Sequence, residues 1–464
     1  MKPMYFHRLC SALLAAGAIG FGPATRAQSA STADTHPPEP RRPCIIFIQC
    51  DGLGYGDLSC YGQTKFQTPE LDQLAAGGLR FTSYYAGDAA CSPARAALML
   101  GKDPAHLQQR ADVDVPLAAD DVTVAQLLQQ SGYHTALIGE WFLGGDNTSG
   151  APWKKGFDEF AGYLDPGNTV DYYADYLWRY APSALDSHQV AFQGREALYD
   201  NADGKKDQYI PDLLTRAAGN FIRANYPNQF NRYRPFFLLL NYTIARPGDG
   251  NTMPAPTDAP YSDEPWPQPE KNRAAMIARL DSYISQLLEQ LKHLRIESNT
   301  VIFFTSDTGP QTGGGADPKF FQSAGPFRGE RGDLYEGGLR VPMIVCWPGT
   351  IRSGQVSDFP WAAWDFLPTA MRIALREPRG NIDGISVLPT LLGETQTNRH
   401  EFFSWELRGH DLAQAARLGD WKVVRPKADE KWELYDLKTD PGETQNIADK
   451  NPGVIAKFEK HLEK

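Results

Sequence analysis

Short apolar runs rich in β-branched and aromatic residues alternate along this chain with longer segments of helical periodicity. The run at residues 45–48, Ile-Ile-Phe-Ile, has no polar position and is typical of a parallel strand buried on both faces. The predicted strands cover residues 44–50, 134–139, 236–242, 300–306 and 343–347. The predicted helices cover residues 70–76, 123–130, 211–224, 271–294 and 365–374. This alternation indicates an α/β fold.

The pattern changes in two places. Residues 245–269 are Pro-rich and irregular, which predicts an excursion over the surface. After residue 348 the segments become shorter and end in a strand near residues 434–436. We therefore predict a large domain over residues 43–348 and a C-terminal subdomain over residues 349–464.

The N-terminal segment has the pattern of a secretory signal peptide. Lys2 and Arg8 precede an apolar run at residues 9–21, and small residues up to Ala27 offer a cleavage site. We predict a signal peptide at residues 1–27, followed by a disordered, Ser-, Thr- and Pro-rich lead-in at residues 28–42. The expected location is secreted or periplasmic, with no membrane span because the apolar run is too short.

The composition indicates which partners are disfavoured and whether the cysteines form disulfides. A formal net charge of −10 argues against nucleic acid or an anionic membrane surface as a general partner. Six cysteines in 464 residues do not make a disulfide scaffold. Cys44 and Cys50 lie on the first predicted strand, where inert core thiols are expected.

Ionisable residues stand at the ends of four predicted strands. Asp51, Glu140 and Asp307 each end a strand, and Arg246 lies just past another. Sites in open α/β sheets form beyond the carboxyl ends of the strands, so a shared polar site is expected there. The alternative for each residue alone is that it caps the next helix or turn.

A second candidate group opens a helix that runs to residue 100. Residues 91–95 read Cys-Ser-Pro-Ala-Arg, and a proline suits the first turn of a helix. Cys91 would then lie at the helix N-terminus, where free amides and the dipole favour an anion, and Arg95 can reach back towards it. The alternative is a buried cysteine packed under a helix, with Arg95 paired to a surface carboxylate.

The segment at residues 91–101 resembles the signature of the type I, formylglycine-dependent sulfatases of the alkaline phosphatase superfamily. The chain as a whole resembles the arylsulfatase-like members of that family. The resemblance runs from residue 43 to the C-terminus and is carried by residues 51–57, 305–310, 327–342, 419–422, 433–436 and 440–444. It implies a large α/β domain with a mostly parallel sheet between helices. It also implies a small α+β subdomain with an antiparallel sheet.

The resemblance also implies a chemistry. Cys91 would be oxidised to formylglycine by a formylglycine-generating enzyme, and its hydrate would attack the sulfur of a sulfated small molecule or glycan. Asp51, Asp307 and the residue at position 91 would hold Ca²⁺, and Arg95 would stabilise the hydrate. Family members usually have Asp and Asn where this chain has Gly52 and Thr308, so we expect calcium to bind weakly or not at all.

The substrate-binding positions implied by the resemblance are Arg246, Arg331 and Glu140. Glu140 replaces a lysine, which reverses a charge beside the sulfate position. Arg246 replaces a histidine and Arg331 a lysine, so positive charge is kept. Arginine does not donate a proton to a leaving group at neutral pH. A histidine that some relatives carry is Gln311 here.

These departures leave three arrangements open. Glu140 pairs with Arg95, Arg246 or Arg331 in a neutral network, the arginines form an anion pocket without turnover, or the site is an altered hydrolase. Two functions are compatible with these arrangements, a sulfuric ester hydrolase and a non-catalytic binder of sulfated glycans. The binder would use aromatic residues for sugar stacking, although ordinary core and surface packing is the favoured explanation for them: Trp153, Tyr172, Tyr173, Tyr176 and Trp178. A phosphatase is disfavoured, because those relatives use Ser or Thr as the nucleophile and bind more metal.

Overall fold

A computed structural model describes residues 42–462, apart from residues 112, 114, 166–170, 183–189, 249 and 409–411. The predicted signal peptide at residues 1–27 lies outside the described residues, as does the predicted lead-in except for residue 42. Among the helices of the described part, none has both the length and the apolar character that a bilayer crossing requires.

The described chain forms sixteen strands and nine α-helices. The strands are β1 Cys44–Cys50, β2 Leu79–Phe81, β3 Tyr84–Tyr85, β4 His134–Glu140, β5 Glu159–Tyr163, β6 Tyr176–Pro182, β7 Val190–Ala197, β8 Phe236–Tyr242, β9 Thr300–Ser306, β10 Met343–Cys346, β11 Gln355–Ser357, β12 Trp361–Ala362, β13 Phe403–Arg408, β14 Leu412–Leu418, β15 Trp421–Arg425 and β16 Glu433–Asp436. The helices are α1 Pro69–Ala76, α2 Cys91–Leu100, α3 Val124–Gln130, α4 Ile210–Asn225, α5 Gln268–His293, α6 Glu336–Leu339, α7 Phe366–Ile373, α8 Leu388–Leu391 and α9 Pro452–Leu462.

Ten strands form one large sheet in the order β11-β2-β10-β9-β1-β8-β4-β5-β6-β7. The five central strands, from β9 to β5, are parallel to one another. The outer strands β10 and β6 run antiparallel to their inner neighbours. The predicted α/β fold with a mostly parallel central sheet is confirmed.

The two faces of this sheet support two separate apolar cores, as expected for a central strand buried on both sides. Ile45 and Phe47 of β1 point into the core that includes Phe366 of α7. Ile46 and Ile48 point into the opposite core, which α4 and α5 cover. Cys44 lies in that second core, where burial raises the pKa of its thiol to about 12, as an inert core cysteine requires.

The C-terminal part contains the small antiparallel sheet that the sequence comparison implied. It has four strands in the order β13-β14-β15-β16, and Phe458 of α9 packs on it. Before reaching this sheet the chain adds β11 to the large sheet and α7 to its core. The division after residue 348 therefore stays a prediction, since the chain returns to the large sheet beyond that point.

A buried ionic group connects the small sheet to the segment that precedes β10. The Lys422 side chain on β15 is fully buried, and its Nζ lies 2.9 Å from Glu336 Oε1 and 3.0 Å from Glu443 Oε1. Glu336 Oε2 also accepts from Tyr85 Oη at 2.8 Å and from Arg340 Nη1 at 3.2 Å. Burial alone would raise the pKa of Glu336, but Lys422 and Arg340 outweigh it and lower that pKa to about 2. We call these five residues the Lys422 cluster.

Replacing Lys422 by methionine should destabilise the protein strongly, because Glu336 and Glu443 would then be buried without their common cation. We expect Lys422→Met to lower the free energy of unfolding by about 3–5 kcal/mol, measured by urea denaturation. The matched control is Arg179→Met, which breaks the half-exposed Arg179–Glu196 pair and should cost less than about 1 kcal/mol. Equal losses in the two variants would contradict this account.

Candidate functional site

The central strands deliver three carboxylates to one edge of the sheet. Asp51 follows β1 and Asp307 follows β9, and the parallel register pairs Cys50 with Ser306. Asp307 N donates to Cys50 O at 2.9 Å, so the two aspartates are neighbours. Glu140 is the last residue of β4, and all three side chains are fully buried. The shared polar edge predicted from the strand ends is therefore present.

Helix α2 brings the candidate nucleophile position to the same edge. The helix begins at Cys91, has Pro93 in its first turn and ends at Leu100, where Gly101 caps it with a φ of +64°. Cys91 Sγ lies 3.4 Å from Asp51 Oδ1, and Cys91 is 6% exposed. The predicted link between the helix N-terminus and the strand-end carboxylates is thus present in the geometry.

Two arginines at the mouth of the site contact Asp51. Arg246 Nη1 lies 3.3 Å from Asp51 Oδ2, and Arg331 Nη1 lies 3.0 Å from Asp51 Oδ1. Arg331 Nη1 also donates to Gln311 Oε1 at 2.8 Å. The side chains of Arg246 and Arg331 are 16% and 20% exposed, so both are partly accessible to solvent. They are more exposed than the side chain of Arg95, which is 3% exposed.

The third arginine is buried beneath them. Arg95 Nη2 donates to Glu140 Oε2 and to Asp307 Oδ2, the latter at 3.1 Å, and lies 3.7 Å from Asp51 Oδ2. The ring of Phe142 lies against the same guanidinium, with its centroid 4.4 Å from Cζ. Of the partners that the sequence left open for Glu140, the structure pairs it with Arg95.

The surroundings shift the pKa values of these groups in different directions. Burial would raise the pKa of Asp51, but Arg331, Arg246 and Arg95 together hold it below its usual value. Burial raises the pKa of Glu140 to about 8 against the opposing charge of Arg95. Burial also raises the pKa of the Cys91 thiol well above its usual value, with Asp307 and Asp51 adding to the effect and Arg331 opposing it. The unmodified thiol is therefore neutral and a poor nucleophile at neutral pH.

Asp51, Cys91 and Asp307 place one ligand atom each within 4.8 Å of one another, which is the minimum arrangement for a cation. Each oxygen of Asp51 is already contacted by an arginine nitrogen. Asp307 Oδ2 accepts from Arg95, while its Oδ1 lies 3.3 Å from Thr308 Oγ1. Calcium takes six to eight oxygen ligands, so these residues do not fit a calcium ion.

One of the aromatic residues considered for sugar stacking has a different role. Tyr172 is buried, and its hydroxyl lies 2.7 Å from the carbonyl oxygens of Thr243 and Arg246, so it supports the loop that carries Arg246. The ring of Trp153 stacks on the ring of Tyr180 with 5.2 Å between the centroids, which is ordinary aromatic packing. No periodicity in the sequence distinguishes Tyr172 from its neighbours, so this contact could not be anticipated.

Two further buried groups had no signal in the sequence, the carboxyl of Asp88 and the ring of Phe142. Asp88 is buried in the loop before α2, and its Oδ1 accepts from Ala89 N at 2.6 Å. Burial raises the pKa of Asp88 from its ordinary 3.8 to about 8, although the amides of Ala89 and Ala90 oppose the shift. The protonated form of Asp88 is thus the one that the fold favours.

A carboxyl whose pKa is raised by folding stabilises the protein below its unfolded pKa and loses that stabilisation as the pH rises. The free energy of unfolding should fall between about pH 4 and pH 8 with a contribution from Asp88 of at most about 1.4 kcal/mol per pH unit. Asp88→Asn should remove this contribution. Urea denaturation across this range tests it, with the exposed Asp263→Asn as control. Identical pH dependence in wild type and Asp88→Asn would contradict the assignment.

Comparisons with known proteins show which family and which solved structures the chain resembles. The family model described as Sulfatase matches residues 43–375, and the one described as N-sulphoglucosamine sulphohydrolase, C-terminal, matches residues 330–464. Arylsulfatase A of Bos taurus is 31% identical over 92% of this chain and 86% of its own length. The N-acetylgalactosamine-6-O-sulfatase of Bacteroides thetaiotaomicron is 28% identical over 91% of this chain and 93% of its own. The crystal structure of Ps i-CgsB in complex with k-i-k-neocarrahexaose superposes with a TM-score of 0.75 at 25% identity, covering 91% of this chain and 92% of that one.

Proposed function

The chain belongs to the sulfatase family, and we propose that it hydrolyses sulfate esters of an aryl alcohol or a carbohydrate after conversion of Cys91 to formylglycine. The observation that carries the proposal is the position of Cys91. It begins α2 and lies 3.4 Å from Asp51, and the partly exposed Arg246 and Arg331 contact that same carboxylate. The relatives named above are sulfatases whose names include an arylsulfatase and a sugar sulfatase.

Arg246 and Arg331 are suited to bind the sulfate group. Their guanidinium groups are planar donors that match the oxygens of a tetrahedral anion, and both side chains are partly exposed. The contact of each with Asp51 is made through Nη1. A bound anion would replace water beside these two arginines and accept charge-assisted hydrogen bonds from them. Gln311 holds Arg331 in this orientation.

Formylglycine at position 91 supplies, as its hydrate, a hydroxyl able to attack sulfur. The surrounding residues fit this small group, because Asp51 Oδ1 lies within reach of the side-chain atom at position 91 and can accept the hydroxyl proton. The lowered pKa of Asp51 keeps that carboxylate ionised before it accepts the proton. Arg95 holds Asp307 and Glu140 in place beside it.

The proposal includes the compartment and the maturation step. The signal-peptide pattern of residues 1–27 supports export to the periplasm or the exterior. The Cys-x-Pro-x-Arg segment at residues 91–95 supports recognition by a formylglycine-generating enzyme. We keep the predicted organisation, with a catalytic-type domain over residues 43–348 and a C-terminal subdomain over residues 349–464, as part of this proposal.

The direct test uses protein coexpressed with a formylglycine-generating enzyme, with the aldehyde at position 91 verified by mass spectrometry. We expect this protein to release sulfate from 4-nitrophenyl sulfate. Cys91→Ala, purified in parallel, should show no release, because it lacks the hydroxyl that attacks sulfur. Absence of release from verified formylglycine protein, on aryl and carbohydrate sulfates alike, would reject hydrolysis.

The reaction should depend steeply on the leaving group. Arg246 stands where relatives have a histidine, and arginine does not protonate a departing alkoxide at neutral pH. Because general acid catalysis contributes about 10²–10⁴-fold, poor leaving groups should suffer most. We expect the kcat/KM ratio of 4-nitrophenyl sulfate to phenyl sulfate to be large in wild type and smaller in Arg246→His. An unchanged ratio in Arg246→His would show that position 246 is not the missing acid.

A second function has its own supporting observation. Glu140 occupies the lysine position and is paired with Arg95, so the site has one sulfate-binding cation fewer than the family pattern. This favours a protein that binds sulfated glycans without hydrolysing them. Binding of a sulfated oligosaccharide by calorimetry, weakened by Arg331→Ala and without any release of sulfate from formylglycine protein, would support that function instead.

A further inference from the structure

We propose that Arg95 is the resident cation of this centre in place of a divalent metal, and that Glu140 is the positioning residue that holds it there. The inference deepens the proposed function, on which it rests, by making sulfate-ester binding at this site independent of metal. It also gives Glu140 a role that the comparison with family sequences does not provide.

Arg95 lies where the three carboxylates of the sheet edge converge. Its Nη2 has an oxygen from each of Glu140, Asp307 and Asp51 around it, the last two at 3.1 and 3.7 Å. The Arg95 side chain is 3% exposed and those of the carboxylates 0%, so these charges interact with little screening by water. Carboxylates that would otherwise converge on a metal ion converge on a guanidinium nitrogen.

Three guanidinium groups, those of Arg95, Arg246 and Arg331, already contact the carboxylates at the sheet edge. A divalent ion added beside them would meet three like charges in a largely buried site, which is costly. This arrangement therefore disfavours a metal even where a few oxygens are within reach.

The Glu140 side chain makes its main contact with Arg95. Its Oε2 is bound to Arg95, while its Oε1 has no hydrogen-bond partner among the described residues. The main observed contact of this carboxylate is thus with Arg95, whose pKa it raises against the effect of burial. The ring of Phe142 covers Arg95 as well, so the guanidinium is held between a carboxylate and an aromatic face.

The chain offers a way to restore the missing ligands. An added Cβ at Gly52 would meet its nearest atoms, Gln311 Cβ and Gly309 O, only at 3.8 Å. The φ of +70° at Gly52 is one that Asp adopts more readily than most residues. The double variant Gly52→Asp/Thr308→Asn therefore supplies two oxygen ligands and one further negative charge.

The experiment compares this double variant with wild type in metal content and thermal unfolding. We expect wild type, purified without chelator, to contain no stoichiometric calcium by atomic emission. Its melting temperature should not shift with calcium or EDTA. The double variant should gain a melting temperature that rises with calcium concentration and falls back with EDTA, as linkage requires. Calcium bound stoichiometrically to wild type, or a calcium-dependent rise in its melting temperature, would overturn the inference.

Glu140→Gln tests the positioning role without depending on the double variant. Glu140→Gln replaces the carboxylate that binds Arg95 Nη2 by a weaker acceptor and leaves the guanidinium available to an anion, so inorganic sulfate should bind about tenfold more tightly by calorimetry. The control is Glu159→Gln, which changes the Glu159–His134 pair at the start of β5 and should leave sulfate affinity unchanged. A residue with a purely structural role would weaken sulfate binding when replaced, and unchanged or weaker binding in Glu140→Gln would overturn the proposal.

The two proposals fail in distinguishable ways. Wild type that lacks metal and binds no sulfate ester would contradict the proposed function while the metal-free centre stands. Wild type that needs calcium for sulfate release would contradict the metal-free centre while the proposed function stands.

Discussion

The hydrogen-bond register of the parallel strands is the constraint on which the site depends. Asp307 N donates to Cys50 O, and Asp51 N lies 3.0 Å from Tyr242 O, so β9, β1 and β8 end at one level. A slip of one residue would turn every side chain of a strand to the opposite face. The aspartates would then be displaced from α2 and its arginine. The two apolar cores on either side of β1 hold this register in place.

The register places the carboxylates at the sheet edge, and their burial determines the charge of the residues around them. Unpaired carboxylates would be strongly unfavourable there, so cations must approach from the neighbouring segments. Arg95 comes from α2, Arg246 from the loop after β8 and Arg331 from the segment before α6. That last segment is secured by the Lys422 cluster, which ties it to the small sheet. The small sheet thus contributes to the position of the segment that carries Arg331.

The sequence predicted what depends on local pattern and missed what depends on side-chain packing. Residues 44–50 and 300–306 were predicted to the residue, because uninterrupted apolar runs mark buried parallel strands. The convergence of Asp51 and Asp307 followed from the strand ends, and the resemblance to sulfatases placed Cys91 with them. The partner of Glu140 did not follow, since three arginines were equally compatible with the sequence. The choice of Arg95 depends on side-chain directions and on Phe142, neither of which a linear pattern specifies.

The burial of Cys91 also bears on the proposed conversion to formylglycine. Only 6% of this residue is exposed in the folded protein. Gly332 N donates to Ala89 O at 3.0 Å, which joins a late segment of the chain to the loop before α2. A maturation enzyme needs an accessible peptide, and chains fold from the N-terminus as they emerge. Under the proposed function, conversion of the cysteine would therefore have to precede the docking of residues 330–340, and a chain that folded first would keep its thiol.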